Sequence, residues 1–148
     1  MRGQGFTLIE LLVTMSIVAI LASLTFPTYR NAMHRAQRLE ARTALQRIQY
    51  LQERYYAQHL RYAAQLAGTS GTAEGLEMPD RSDAGSYALA VTAGDDGQSF
   101  LATARARTEG RQADDRACQL LFVDETGQQR SADATGSWSD SDPHRCWG

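Results

Sequence analysis

The stretch GFTLIELLV at residues 5–13, and the apolar run LLVTMSIVAILASLTFPTY at residues 11–29 that continues it, decide the architecture of this chain of 148 residues. The 19-residue run carries no charged side chain. Because a helix rises about 1.5 Å per residue, a run of this length roughly spans the ~30 Å hydrocarbon core of a bilayer. The sequence therefore predicts a membrane-capable helix at the amino end.

Glu10 stands at the threshold of the apolar run, where a carboxylate is costly unless it finds a partner and so marks a functional position. A cleaved secretory signal with Arg2 as its basic region is one alternative. The apolar run exceeds the usual length of roughly 7 to 15 residues, however, and Ala22-Ser23-Leu24 is a weak cleavage sequence. A glutamate that merely reaches the lipid headgroups is the other alternative.

The amino end resembles the class III signal of type IV pilins and pseudopilins. It combines a short basic leader, a glycine before phenylalanine, an acid five residues into the product and an uninterrupted apolar helix. The resemblance implies cleavage after Gly5 by a prepilin peptidase, methylation of the new amino group of Phe6, and packing of the apolar helix into a filament core. Glu10 would then pair with the amino-terminal cation of a neighbouring subunit and set the axial register.

Pro27 lies inside the helical pattern, where its missing N–H and its clash with the carbonyl of Ser23 predict a kink that bears on assembly. More basic residues follow the apolar span than precede it. By the positive-inside rule, this count predicts a cytoplasmic carboxyl-terminal domain. The resemblance implies the opposite orientation, and we prefer it. The chain is then a single-pass inner-membrane protein whose domain lies in the periplasm and later in an extracellular filament.

Residues 30–64 contain no Gly or Pro, and apolar residues recur there at spacings of three and four, which predicts an amphipathic helix that continues the first one. The buried stripe is expected at Ala41, Ala44, Leu45, Ile48, Leu51, Gln52 and Tyr55. The opposite face, which is expected to lie toward solvent or a neighbouring subunit, contains Arg38, Arg42, Arg47, Glu53 and Arg54. Residues 52–62 also resemble a minor-pilin pattern of Glu-Arg-Tyr-Tyr, a short turn and Tyr.

Residues 65–85 have turn composition and are expected to form a surface loop. Alternating patterns predict strands at 86–93, 98–107, 118–124 and 128–131, joined by turns at 94–97 and 125–127. The predicted fold class is α+β, with a long N-terminal helix packed on a three- to four-stranded antiparallel sheet, as in pilins. The predicted organisation is a leader at 1–5, a transmembrane or filament-core helix at 6–29, and a globular domain at 30–148 whose sheet spans 86–131.

Cys118 and Cys146 are the only cysteines, and an exported chain meets oxidising conditions in which such a pair normally forms a disulfide. The region 118–146 would then be closed by that bond. In the resembled family a bridge of this kind bounds an exposed, variable region, which implies partner contact at Trp138, Asp140, Asp142, His144 and Trp147. In the alternative interpretation the two tryptophans cover an undersized core.

The charges are segregated although the formal net charge is only −2. Residues 30–61 hold seven arginines against two glutamates, whereas residues 62–148 hold seven arginines against fourteen acids. The three histidines are far apart in sequence, and no zinc-type cysteine spacing or nucleophile elbow occurs. We therefore expect no enzyme activity, no catalytic residue, no metal and no cofactor.

The resemblance implies a minor pilin-like structural subunit of a type IV pilus that supports pilus biogenesis, adhesion, twitching motility or DNA uptake. The implied partners are other pilin subunits, the prepilin peptidase, the pilus assembly platform and, before assembly, the inner membrane. Alternatives are a pseudopilin of a type II secretion system and a DNA-binding competence pilin whose basic residues contact phosphates. DNA is not the favoured partner, because the acidic carboxyl-terminal part repels phosphate and predicts weak binding.

Overall fold

The computed structural model describes residues 6–67, 75–136 and 144–147, without the side chains of 24–28 and 144–145. Helix α1 spans Leu8–His59, and the strands are β1 Tyr87–Ala93, β2 Phe100–Ala106, β3 Leu120–Asp124 and β4 Gln129–Ala132. A short 3-10 helix, Arg111–Asp114, lies between β2 and β3, and helix α2, His144–Trp147, follows β4. The chain divides into two units at Arg35 and Ala36.

The first unit contains the amino-terminal part of α1, and the side chains of residues 6–23 are all exposed. Its hydroxyl groups bond to the helix itself. Thr14 donates to the carbonyl of Leu11 at 2.9 Å and Ser16 donates to the carbonyl of Leu12 at 2.8 Å. Ser23 likewise donates to the Ile20 carbonyl at 2.7 Å. Because these hydroxyls are already satisfied, an apolar environment can cover the helix without orphaning them.

The second unit packs one face of α1 against the sheet. The predicted stripe is confirmed, since Ala41, Ala44, Leu45, Ile48, Gln52 and Tyr55 are buried and Leu51 packs against the core. The expected solvent face is confirmed at Arg47, Glu53 and Arg54, which are exposed. Arg38 and Arg42 are half-buried instead, and Arg38 is held by an acid of the β2–β3 connection.

The sheet is antiparallel in the order β1-β2-β3-β4, as the four predicted strands required. Leu89 lies opposite Ala104, which lies opposite Leu121, and all three are buried. This row marks the inner face of the sheet, which shares one buried core with the stripe of α1. The predicted strands begin or end one or two residues away from the observed ones.

The predicted turns are also found between the strands. Gly97 has φ +68° and its N–H donates to the Gly94 carbonyl at 2.8 Å. A Cβ at Gly97 would lie 2.9 Å from the Cβ of Arg61, so the turn needs glycine for close approach as well as for its backbone conformation. Gly127, at φ +77°, fills the same conformational role between β3 and β4.

Helix α1 ends at His59, five residues before the predicted end at residue 64. Leu60 takes a left-handed conformation at φ +55°, and its N–H donates to the Tyr56 carbonyl at 2.8 Å. The next residues turn back onto the helix. The buried Gln52 amide accepts from the Ala63 N–H and donates to the Ala63 carbonyl, each at 2.8 Å. Tertiary contacts therefore end the helix where no local glycine does.

The carboxyl end is fixed by the predicted disulfide between Cys118 and Cys146. Trp147 is buried, and its indole Nε1 donates to the Arg130 carbonyl at 3.1 Å. The indole thus provides a hydrogen-bond donor to a carbonyl of β4, which is an edge strand of the sheet. Trp147 therefore covers the core, as the alternative interpretation had it, and its expected partner contact stays a prediction.

Candidate functional site

The start of α1 is organised by Thr7 and Glu10. The Thr7 hydroxyl accepts the Glu10 N–H at 3.4 Å just before the helix begins at Leu8. Glu10 occupies the third helical position, so Thr7-Leu8-Ile9-Glu10 has the sequence of a capping box. This local role was missed in the sequence, although the Thr-x-x-Glu spacing indicates it. Glu10 is exposed, and so is Phe6, at 80%.

The described apolar side chains after Glu10, up to residue 23, are exposed. Those exposed by half or more include Leu11, Leu12, Val13, Met15, Ile17, Val18, Ile20 and Leu21. They surround the helix instead of forming one stripe, which is the pattern of a helix that becomes buried on all sides. Among the parts of the chain that the structure describes, no helix is long and apolar enough to cross a membrane.

The remaining predicted site residues lie at the edges of the described chain. Gly5, Trp138, Asp140 and Asp142 fall outside it, and His144 begins α2 without a described side chain. Pro27 lies within the residues assigned to α1, and its side chain is not described. The kink at Pro27 and the partner contacts of the tail stay predictions.

A polar cluster fastens the β2–β3 connection, residues 107–119, to α1. Arg38 donates to Asp115 through Nε at 2.6 Å and through Nη2 at 2.7 Å, which is a bidentate pair. The buried amide of Gln112 donates to the same carboxylate at 2.7 Å. The hydrogen bonds that Arg38 donates to the Asp115 carboxylate raise the pKa of the Arg38 guanidinium. This cluster was not predicted, because Arg38 was assigned to the solvent face.

The Arg38–Asp115 pair leaves the connection and the strand before it with unneutralised cations. Arg105, Arg111 and Arg116 are exposed, and none of them forms an ion pair with a described acid. Glu109 is within 3.3 Å of Arg107, and Asp115 is taken by Arg38. Once these pairs are set aside, residues 105–119 keep three exposed arginines against one acid, Asp114, and are locally basic within a segment of negative overall charge.

Metal chemistry finds no support in the described residues. No group of three or more histidine, cysteine, aspartate or glutamate side chains there is arranged to hold a metal ion. Some of the acids accept hydrogen bonds from residues of the turns. Asp124, for example, accepts from the N–H groups of Thr126 and Gln128 at 3.0 and 2.9 Å.

Two family profiles match the chain, and together they define a type IV pilin. The profile described as the prokaryotic N-terminal methylation motif covers residues 1–26. The profile described as "Type IV minor pilin ComP, DNA uptake sequence receptor" covers residues 27–122. The chain belongs to this type IV minor pilin ComP family, which confirms the pilin resemblance and the minor-pilin interpretation.

Two individual proteins extend the comparison. The type IV major pilin protein PilA of Myxococcus xanthus is 32% identical over 94 residues, which are 64% of this chain and 40% of that protein. The chain thus spans well under half the length of this relative. A type IV pilin structure from Shewanella oneidensis shows 21% identity and a TM-score of 0.47, over 65% of this chain and 89% of that one.

Proposed function

We propose that this minor pilin is a DNA receptor carried by a type IV filament. The observation that carries the proposal is the family match over residues 27–122, whose description names a DNA uptake sequence receptor. Arginines of the β2–β3 connection and the end of β2 would contact the phosphates, while the apolar helix holds the subunit in the filament. This reverses the order of partners that the overall charge suggested.

The electrostatics of the connection support this assignment. A DNA phosphate interacts with charges within about a Debye length, roughly 8 to 10 Å at physiological salt, so the local balance matters more than the net charge of the domain. Arg105, Arg111 and Arg116 present three unpaired guanidinium groups on one short segment. Arginine binds phosphate oxygens in a bidentate manner, and the Arg38–Asp115 pair fixes the segment that carries them.

A salt titration of DNA binding tests the proposal. The full chain in detergent micelles is mixed with a fluorescent DNA duplex, and anisotropy is measured from about 50 to 200 mM salt. The variant Arg105→Gln/Arg111→Gln/Arg116→Gln should bind more weakly, and the slope of log K against log salt should become shallower by about 0.9 for each phosphate that is no longer neutralised. The matched control removes two other exposed arginines, Arg47→Gln/Arg54→Gln. Equal weakening by both variants, or no binding by the wild type, contradicts the assignment.

The amino end has a separate role in the proposal. Cleavage after Gly5 would free Phe6 for methylation, residues 6–29 would anchor the chain in the inner membrane, and the assembly platform would then transfer it to the filament. The exposed apolar helix and its satisfied hydroxyls support burial between other subunits. Glu10 would neutralise the amino-terminal cation of a neighbouring subunit there.

A charge-only substitution tests the role of Glu10. Glu10→Gln keeps the capping-box sequence, since glutamine suits that position, but removes the carboxylate. Thr7→Ala is the reciprocal control, because it removes the cap and keeps the charge. We expect normal cleavage for both variants and absence from sheared filaments for Glu10→Gln alone. Absence of both variants would assign Glu10 to helix capping and exclude the pairing.

A further inference from the structure

One face of α1 in the second unit lies opposite the buried stripe and has no partner among the described residues. We call it the helix strip and define it as Leu39, Thr43, Arg47, Tyr50 and Arg54. At 100° per residue these five positions fall within about 80° of arc, centred on the side away from Ile48 and Gln52. Tyr50 is 67% exposed and Leu39 is 57% exposed. A large aromatic and an aliphatic side chain thus face solvent together on a rigid element.

The helix strip combines this apolar surface with unpaired positive charge. Arg47 and Arg54 are exposed, and neither forms an ion pair with a described acid. They are seven residues apart, so their Cα atoms are separated by about 10.5 Å along the helix with Tyr50 between them. The nearest acids on α1 are engaged elsewhere. Glu40 accepts from the Ala84 N–H at 2.8 Å, and Glu53 accepts from the Tyr62 hydroxyl at 3.1 Å.

The complement of the helix strip is present on the same chain. The β1–β2 turn, Gly94-Asp95-Asp96-Gly97, presents two consecutive exposed aspartates between glycines. Arg61 lines the same cavity of about 300 Å³ as Asp95 and Asp96 but makes no ion pair with either of them. The turn therefore carries two carboxylates that form no ion pair with a described residue. Their charge is complementary to that of the two guanidinium groups of the helix strip.

We propose that the helix strip docks the β1–β2 turn of a second copy of this chain. Asp95 and Asp96 of one copy would meet Arg47 and Arg54 of the next, and Tyr50 would cover the small glycine-flanked turn. Because strip and turn are different patches, the contact is heterologous and each docked copy leaves a free strip and a free turn. Such contacts propagate along an assembly instead of closing as a dimer, which suits a filament subunit. The proposal does not depend on DNA binding.

Charge-reversal complementation on the full chain in detergent micelles tests this docking. Arg47→Glu/Arg54→Glu reverses the strip. Asp95→Arg/Asp96→Asn reverses the turn and keeps an acceptor for the Gln98 N–H, which bonds to Asp96 at 3.0 Å. Sedimentation should show at least a tenfold weaker self-association for each variant alone. An equimolar mixture should recover association through alternating copies, since the reversed strip meets the reversed turn and the unchanged strip meets the unchanged turn. Failure of the mixture to recover association overturns the proposal.

Two controls separate docking from misfolding and from DNA binding. Fluorescence of the buried Trp147 indole checks that each variant retains its fold. Arg105→Gln/Arg111→Gln/Arg116→Gln should associate like the wild type, because those arginines lie outside the helix strip. A photo-crosslinker placed at Tyr50 in assembled filaments should capture the peptide that contains residues 94–97 of another copy. Capture of DNA, of a different pilin, or of nothing overturns the assignment.

Discussion

Removal of the Gln52 amide should destabilise the chain, because this amide joins the end of α1 to the segment that follows it. Gln52 is fully buried, and both of its hydrogen bonds go to the main chain of Ala63, which is also buried. Gln52→Leu keeps a similar volume but leaves the N–H and C=O of Ala63 without partners. Each orphaned buried group costs about 1 to 3 kcal/mol, partly offset by the better burial of leucine. We expect a net decrease of about 2 to 4 kcal/mol in the free energy of unfolding.

Urea unfolding of the full chain in micelles, followed by tryptophan fluorescence, measures this decrease. Gln46→Leu is the matched control, because Gln46 lies on the same helix and is exposed. Gln52→Glu adds a pH test. At neutral pH its carboxylate can accept from the Ala63 N–H but cannot donate to the Ala63 carbonyl, whereas the protonated acid can do both. A decrease below about 0.5 kcal/mol for Gln52→Leu would refute the fastening role of these two bonds.

Three further perturbations follow from the structure. Leu60→Gly should leave stability unchanged or raise it by up to about 1 kcal/mol in thermal unfolding, because Leu60 is 74% exposed and holds a left-handed φ of +55°. Asp115→Asn should cost about 2 to 3 kcal/mol in urea unfolding and weaken DNA binding less than removal of the arginines, since it removes the carboxylate charge that faces Arg38 but no phosphate contact. Burial alone would raise the pKa of Asp124, but hydrogen bonds from Thr126 and Gln128 and the nearby Arg130 lower it overall, so its contribution is present above the unfolded pKa of about 3.9 and is lost as pH falls through the lower folded value. Asp124→Asn should therefore destabilise the chain at pH 7 and much less near pH 2, as urea unfolding at the two pH values would show.

Elements with a local periodic signal were predictable from the sequence. The buried stripe from Ala41 to Tyr55 follows from spacings of three and four, and alternation placed each strand to within two residues. Gly97 and Gly127 marked the two turns because only glycine adopts their backbone conformation without strain. The disulfide followed from two cysteines and an oxidising destination.

Features set by tertiary contacts were not predictable in this way. The end of α1 depends on the Gln52–Ala63 bonds and on the N–H of Tyr62, which donates to the Gly97 carbonyl at 2.8 Å. No glycine or proline marks that end. Arg38 and Asp115 are 77 residues apart, so no spacing rule could pair them. The pairing matters for function, because an acid that neutralises Arg38 cannot neutralise the arginines of its own connection.

The proposed DNA binding is compatible with the negative net charge for a physical reason. The acidic segment from residue 62 onward holds fourteen acids against seven arginines, which suggests repulsion of phosphate along its whole length. At physiological salt, however, exposed charges that lie more than roughly 8 to 10 Å from a phosphate are largely screened from it. The local charge of each surface therefore decides its interaction with DNA. Pairing of Asp115 with Arg38 and of Glu109 with Arg107 removes two acids and Arg107 from the local charge balance, which leaves Arg105, Arg111 and Arg116 against Asp114. The same argument separates the β1–β2 turn, which has unneutralised carboxylates and suits a cationic protein face, from the connection, which has unneutralised arginines and suits DNA.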